Sequence, residues 1–368
     1  MEHIDVLIAG GGPAGLATAI AAARQGFSVT VVDRVLPPID KPCGEGIMPS
    51  GLSALNKLGV HLGPPLAVPF DGIRFVGDGQ QVQSSFSCGQ GLGIRRTTLH
   101  RFLMERATKE GVSMKWDVSV NNITPQYAQV EKEQVRYRWL VCADGQNSRL
   151  RRAAGLDPMR CYRRRFGFRR HFRIPPWSNR VEVHWSDCGQ LYITPISADE
   201  ICVALISSTP NLRFRQALKE FPEIEERLRF ATPVTREQGA ITSTASVRHV
   251  QKGRVALVGE ASGSVDAITG EGLSLAFRQA IALVDAMVEE DLSLYEACHR
   301  RIMLRPKAMA RLLLLMDRNP TIRRRVLQAL ASRPDVVSRL LAFHSGALSP
   351  LQLGLHAVLS FSRGLMTA

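Results

Sequence analysis

The sequence predicts an α/β fold built on a buried parallel sheet, and three features of the chain carry that prediction. The apolar run Ile4 to Ala9 ends in Gly10-Gly11-Gly12-Pro13-Ala14-Gly15. The run Leu140 to Ala143 ends in Asp144-Gly145. Arg254 to Val258 ends in Gly259-Glu260, with Gly270-Glu271-Gly272 close behind. A continuous apolar run stopped by glycine is the pattern of a parallel strand buried on both faces. Read together, the three segments describe one site held by one large domain assembled from separated pieces.

The other elements follow in chain order. Ala14 to Gln25 predicts an alanine-rich helix that packs on the sheet and stops at Gly26. Ser28 to Val32 is the second strand, ending in Asp33. Ser50 to Leu58 is a short helix with Leu52, Leu55 and Leu58 on one side, and residues 64–92 read as irregular β structure punctuated by Pro and Gly. Thr97 to Lys109 is a helix, with Leu99, Leu103 and Ala107 at helical spacing. Between Arg160 and Val250 the character changes. Val181-Glu182-Val183-His184-Trp185 alternates, and Leu191 to Ile193 and Ile201 to Ser207 are further strands, so an antiparallel sheet is expected here. His184 and Trp185 fall on alternate faces, which places one of them toward a pocket. Gly272 to Glu289 is a long helix. The tail from Leu292 is helical and arginine-rich, with Pro306, Pro320, Pro334 and Pro350 expected to break it into short helices.

A length of 368 residues suits one large domain plus a smaller one, and a hydrophobic fraction of 45% allows a sizeable core. The predicted division assigns 1–64, 93–159 and 251–290 to a discontinuous nucleotide-binding domain, 65–92 and 160–250 to a substrate domain, and 291–368 to a basic helical region. The seven cysteines are scattered and odd in number, with no CxxC pair. Reduced thiols fit this better than a disulfide framework or a zinc site, and no metal is expected. The N-terminus has no signal-peptide pattern and no apolar stretch reaches 18 residues, so a cytoplasmic protein is expected, with peripheral membrane contact left open. The net charge is +14, and residues 290–368 hold 12 Lys/Arg against 5 Asp/Glu. A second basic cluster is Arg160, Arg163, Arg164, Arg165, Arg169, Arg170 and Arg173. Such fields favour anionic ligands or surfaces. No nucleic-acid motif or aromatic stacking platform accompanies them, so nucleic acid is not an expected partner.

The glycines at 10, 12 and 15 match the GxGxxG spacing of a Rossmann-like turn. The first allows the tight turn, the second lets the backbone approach a diphosphate, and the third lets the helix pack on the strand. The helix N-terminus favours the anion. Asp33, 18 residues after Gly15, can accept from ribose hydroxyls. The turn alone does not choose between dinucleotides.

The later motifs do. Cys142-Ala143-Asp144-Gly145-Gln146-Asn147-Ser148-Arg149-Leu150-Arg151 and Arg254-Val255-Ala256-Leu257-Val258-Gly259-Glu260-Ala261 resemble the second and third motifs of the FAD-dependent group A monooxygenase and geranylgeranyl reductase superfamily, over Ile4 to about Glu290. The resemblance implies a Rossmann-like FAD-binding domain of the para-hydroxybenzoate hydroxylase type, an interwoven antiparallel β-sheet substrate domain and a C-terminal helical tail. It implies FAD contacts at Gly10, Gly12, Pro13, Ala14, Gly15, Asp33, Arg34, Arg96, Asp144, Gly145, Gly259, Glu260, Gly270 and Gly272. Asp144 would support the diphosphate region and the approach of the nicotinamide donor, and Glu260 the ribityl chain. The Gly270–Gly272 helix start would face the flavin edge that becomes negative on reduction.

Lys41-Pro42-Cys43-Gly44-Glu45-Gly46 takes the place of the reductase branch's Cys-Gly segment, making Cys43 and Glu45 candidate catalytic residues. Tyr192 in Tyr192-Ile193-Thr194-Pro195 is a third, on the pocket wall. Two departures stand out: Glu260 where the family usually has Asp, and Ala267 where many hydroxylases have Pro. Trp177 and Trp185 lack the spacing of the halogenase tryptophan motif. The expected activity is NAD(P)H-dependent hydroxylation of an aromatic or polyketide-like compound through a flavin C4a-hydroperoxide, with NADPH or NADH as reductant. The alternatives are reduction of an alkene in a prenyl or lipid substrate, and a flavoprotein that acts on a partner protein. The oligomeric state is not legible.

Overall fold

A computed structural model describes residues 3–348 apart from Pro158 and Asn211. Pro350 and the tail beyond it lie outside the described residues. The helices are α1 (Pro13–Arg24), α2 (Pro49–Lys57), α3 (Arg96–Lys109), α4 (Arg149–Ala153), α5 (Phe214–Leu218), α6 (Pro222–Leu228), α7 (Gly272–Val288), α8 (Leu292–Arg318), α9 (Pro320–Ala331) and α10 (Pro334–Ser345).

The first sheet runs Val255–Leu257, Glu133–Cys142, His3–Ala9, Val29–Asp33, Ser113–Trp116, all parallel. Its register decides where the site lies. Ala9 is level with Val32 on one side and Cys142 on the other, and Cys142 is level with Leu257. All four strands therefore end in one row, and the glycine turn, Asp33, Asp144 and Gly259 emerge at the same sheet edge, where open α/β sheets bind ligands. α1, α3 and α7 cover one face through a core that includes Leu16, Ile20, Leu103, Phe277 and Leu283. Gly51 lets α2 approach α7 closely, since a Cβ there would stand 2.4 Å from Ser274 Oγ.

The second sheet is mostly antiparallel. Arg160–Arg173 pairs with Glu200–Ser207 and Gln238–Ser246, and Gly189–Pro195 joins Glu200–Ser207 to Val181–Ser186. The hairpin Gly72–Gly77/Gln80–Ser85 extends it, lying parallel to Val181–Ser186. The irregular 64–92 region thus supplies two strands of this sheet and part of a three-stranded one.

Two expectations are corrected. Pro306 does not break the tail: α8 runs 27 residues through it. A proline removes one helical hydrogen bond, but here Ile302, Met303, Pro306, Ala310, Leu313 and Met316 form one buried stripe whose packing holds the helix together. Pro320 and Pro334 instead start α9 and α10, where the missing N–H has no intrahelical partner to lose. The arginine cluster is not a uniform surface field either. Arg165 and Arg169 are each 1% exposed, because the inward face of Arg160–Arg173 carries them into the interior against buried acids.

Candidate active site

A cavity of about 1120 Å³ runs between the two sheets. That exceeds the roughly 300–1,000 Å³ usual for a single small ligand.

At one end stands the glycine turn. Gly10 has φ 116°, and a Cβ there would lie 2.3 Å from the Ala143 carbonyl oxygen; a Cβ at Gly15 would lie 1.8 Å from that of Gly10. These two glycines let backbone pass backbone. Gly12 is different: its Cβ position meets nothing within 4 Å and faces the cavity. Asp33 accepts from the N–H groups of Gly11 at 2.6 Å and Val35 at 2.9 Å. It shapes the turn while still lining the cavity, beside the exposed Arg34.

The second and third motifs meet over Arg151, which is buried and donates to Asp157 at 2.9 Å, to the Ala261 carbonyl at 3.2 Å and to the Gln146 carbonyl at 3.3 Å. Asp144 Oδ2 accepts from the Arg149 N–H at 3.0 Å, whereas Oδ1 is buried without a partner. Gln279 of α7 accepts from the Gly259 N–H at 2.9 Å, and His299 of α8 lies 3.0 Å from Ser262 Oγ. Burial pushes the His299 pKa down to about 4, so its imidazole is neutral where it braces this loop. Glu260 pairs with Lys41 at 2.5 Å at the cavity wall. Gly145, Gly270 and Gly272 also have open Cβ positions facing the cavity.

The loop at 40–46 forms the middle of the cavity. Cys43 lines it; burial pushes its thiol pKa up, and the Glu45 N–H donates to its Sγ at 3.3 Å. Glu45 is 1% exposed. Its Oε1 accepts from the Arg96 N–H at 2.8 Å, capping α3, and from Arg169 at 3.1 Å, and its Oε2 lies 2.7 Å from His171 Nε2. Arg169 also grips both oxygens of Asp40, each at 2.9 Å. Carboxylate, imidazole and thiol of Glu45, His171 and Cys202 come within 4.8 Å of one another. The Arg169 guanidinium already holds Glu45 and would repel a second cation, so the trio suits proton exchange better than metal binding. Arg96 lines the cavity with its Nε buried and unpartnered.

Tyr192 stands on the far wall. Its hydroxyl donates to the Ile268 carbonyl at 2.9 Å, and burial pushes its pKa far above the ordinary phenol value. It serves as a fixed wall with its proton engaged. Neither His184 nor Trp185 lines the cavity. Val181 and Val183 do, while His184 is turned to Glu182 at 3.0 Å and Trp185 packs among residues of the C-terminal helices. Beyond Tyr192 the lining becomes aliphatic: Leu313 and Met316 of α8, Leu327 and Leu330 of α9, Val337 and Leu341 of α10. His344 of α10 lies 3.1 Å from the Thr269 carbonyl, next to the Gly270 turn. The C-terminal helices are therefore part of the site. The sequence carried a signal for this in the helical spacing of Ile302, Met303, Ala310, Leu313 and Met316.

These residues fit FAD. The open glycine cradle at the α1 N-terminus suits a diphosphate, and the unpartnered Arg96 Nε and Asp144 Oδ1 provide one donor and one acceptor at the cavity wall. The comparisons agree. A digeranylgeranylglycerophospholipid reductase of Methanopyrus kandleri is 26% identical over 330 residues, covering 78% of this chain and 82% of that protein. A menaquinone reductase of Mycobacterium tuberculosis is 43% identical over 84 residues, 22% of this chain. That match spans only 20% of the mycobacterial protein's length. The crystal structure of a flavoprotein/dehydrogenase from Cytophaga hutchinsonii superposes with a TM-score of 0.84 at 18% identity, covering 100% of this chain and 99% of that one, a likeness of fold. The sequence profile of the FAD binding domain family matches residues 3–290, and the chain belongs to that family.

Proposed function

We propose that this FAD-dependent oxidoreductase saturates an alkene in the prenyl-type chain of a lipid. One observation carries the reading: the cavity runs from the Cys43–Gly46 loop into an aliphatic chamber walled by α8, α9 and α10. A long apolar chain fills such a space, whereas a small polar aromatic would leave most of it without a partner. Relatives named as reductases of prenylated lipids and quinones support the same branch.

Bound FAD supplies the two-electron chemistry between a nicotinamide donor, NADPH or NADH, and the substrate. The chain's own residues bind and orient. Gly12 and the α1 N–H groups would hold the diphosphate, Asp33 the ribose and Glu260 with Lys41 the ribityl region, and the Gly270–Gly272 helix start would offer its N–H groups to the ring. Tyr192 and the leucines align the chain and exclude water. Cys43, protonated at neutral pH because burial disfavours its thiolate, gives its proton to the substrate carbon, and the Glu45 N–H steadies the sulfur left behind.

Anaerobic incubation of the FAD-loaded protein with NADPH or NADH and a prenylated lipid should give a product heavier by one hydrogen molecule per reduced bond, read by mass spectrometry. A product that forms only with oxygen present and carries an oxygen atom from it would replace this reading with hydroxylation.

The outer face of α8 fits a lipid source. Leu304, Ala308, Arg311, Leu315 and Arg318 are exposed at helical spacing, on the side opposite the cavity. Arg311 and Arg318 form no ion pair among the described residues. We propose that this face docks on an anionic bilayer, where each basic residue adds about 1 kcal/mol. Co-sedimentation with phosphatidylglycerol vesicles, but not phosphatidylcholine ones, is expected, and the double variant Arg311→Glu/Arg318→Glu should lose roughly tenfold or more in affinity. Equal sedimentation of the variant and the wild type would remove this face from the proposal.

A further inference from the structure

The position of Glu45 is unusual in two independent ways. Its backbone is left-handed, with φ 59°, a conformation that a non-glycine residue keeps only where its surroundings impose it. Its carboxylate is buried and receives three donors, of which Arg169 and the Arg96 N–H would suffice to neutralise and cap. The third, His171, adds an imidazole whose two ring nitrogens can take a proton on one side and release one on the other.

His171 is 2% exposed, and its other ring nitrogen, Nδ1, lies 3.0 Å from Thr235 Oγ1. Thr235 is half-buried, and the next two residues, Arg236 and Glu237, are exposed. An unbroken row of exchangeable groups therefore leads from the surface at Thr235, through His171, to Glu45 on the cavity wall beside Cys43.

We propose that Thr235, His171 and Glu45 form a proton path between solvent and the flavin side of the cavity. Its use in replacing the Cys43 proton rests on the alkene-reduction reading; the path itself does not. Saturation of one double bond places a hydride, two electrons and one proton, on one carbon and a second proton on the other. The electrons originate in the nicotinamide donor, which leaves oxidised. The second proton leaves the Cys43 thiol as its S–H bond breaks and a C–H bond forms. His171 gives a proton to Glu45, Glu45 passes it to the sulfur, and water restores His171 through the Thr235 hydroxyl. Each turnover consumes one proton from solvent.

The charged and titratable groups around His171 are Glu45 and Asp40 on the loop, Arg169 on its own strand and Cys202 on the paired strand, with Cys43 and Arg96 beyond Glu45. Arg169 is held by both acids, so a proton arriving at the pair resides on His171 or Glu45.

The test reads protons directly and needs no substrate. The FAD-loaded protein is photoreduced without oxygen in weak buffer containing a pH-indicator dye. Charge gained at the ring on reduction should draw a proton into the path. Wild type is expected to take up more protons per flavin than His171→Gln, which keeps a hydrogen bond to Glu45 but carries no proton. Thr235→Val should reach the wild-type uptake at least roughly tenfold more slowly. Equal uptake and equal rates in all three proteins overturn the path. Thermal melting and FAD affinity identify a misfolded variant, and if His171→Gln fails to fold, Thr235→Val alone decides. Altered uptake in a protein that saturates no prenyl chain leaves the path standing and removes the substrate reading. Saturation by wild type with unchanged uptake in the variants does the reverse.

Discussion

Gly12→Ala is expected to leave the fold intact and to weaken FAD binding by roughly 10- to 100-fold, whereas Gly15→Ala is expected to damage the fold itself. The two residues sit three positions apart in one turn, but a methyl group meets different surroundings at each. At Gly15 the new Cβ would lie 1.8 Å from the Gly10 carbonyl oxygen, and that oxygen belongs to backbone fixed by the Gly10 N–H bond to Val32 at 2.8 Å. α1 would have to lift from the strand and from α7, and overpacking of this kind costs about 1–3 kcal/mol or more. At Gly12 the Cβ meets nothing within 4 Å, and the backbone is extended, with φ −71°. Alanine is unstrained there and even removes some freedom from the unfolded chain, worth about 0.4–1 kcal/mol. The methyl group, however, projects into the cradle and keeps a diphosphate away from the N–H groups. Each lost charge-assisted hydrogen bond costs about 1.5–3 kcal/mol, which sets the expected range. Thermal melting without FAD and a flavin-fluorescence titration separate the two effects. Wild-type affinity in Gly12→Ala would move the diphosphate off this turn.

The sequence made the sheet edge legible because buried parallel strands are continuous apolar runs, and all three runs that end in ligand motifs are present in the structure. The strand Glu133–Cys142 was read only from Leu140, since its first half alternates between exposed and buried positions at the sheet's rim. The Glu45–His171 pair was not legible: the partners are 126 residues apart, and nothing local to either names the other. Even so, Arg163, Arg165, Arg169 and His171 fall at odd positions of one strand with Gly167 between them. That period of two could have marked an inward-facing charged row in place of a surface patch. The tail was half legible. Its basic outer face follows from composition, but Pro306 suggested a break, and only the long buried stripe of α8 shows why the helix continues.

That inward row also supports the second large effect: Arg165→Met should lower stability by about 3–5 kcal/mol, a Tm drop on the order of 10 °C. Arg165 donates to Asp266 at 3.0 Å and to the Ile206 carbonyl at 3.2 Å, bonds Gln190, and lies 3.5 Å from Asp317 of α8. Asp317 keeps Arg163 at 2.8 Å when Arg165 is lost. Among the described residues Asp266 has no second cation; its remaining donors are Thr244 at 3.2 Å and the Ile268 N–H at 3.1 Å. A carboxylate 2% exposed would then be left charged and unpaired, and the cost of that state exceeds the net worth of the ion pair. Neutralising the orphan should therefore restore much of the loss: Arg165→Met/Asp266→Asn is expected to be more stable than Arg165→Met alone, although it carries one more substitution. Asp266 also caps the turn that leads into Gly270, so both variants should weaken FAD binding along with stability. A simple loss of packing at Arg165 predicts the opposite order, with the double variant no better than the single one. Thermal melts of the three proteins side by side decide whether the charge or the volume of Arg165 ties α8 to the flavin loop.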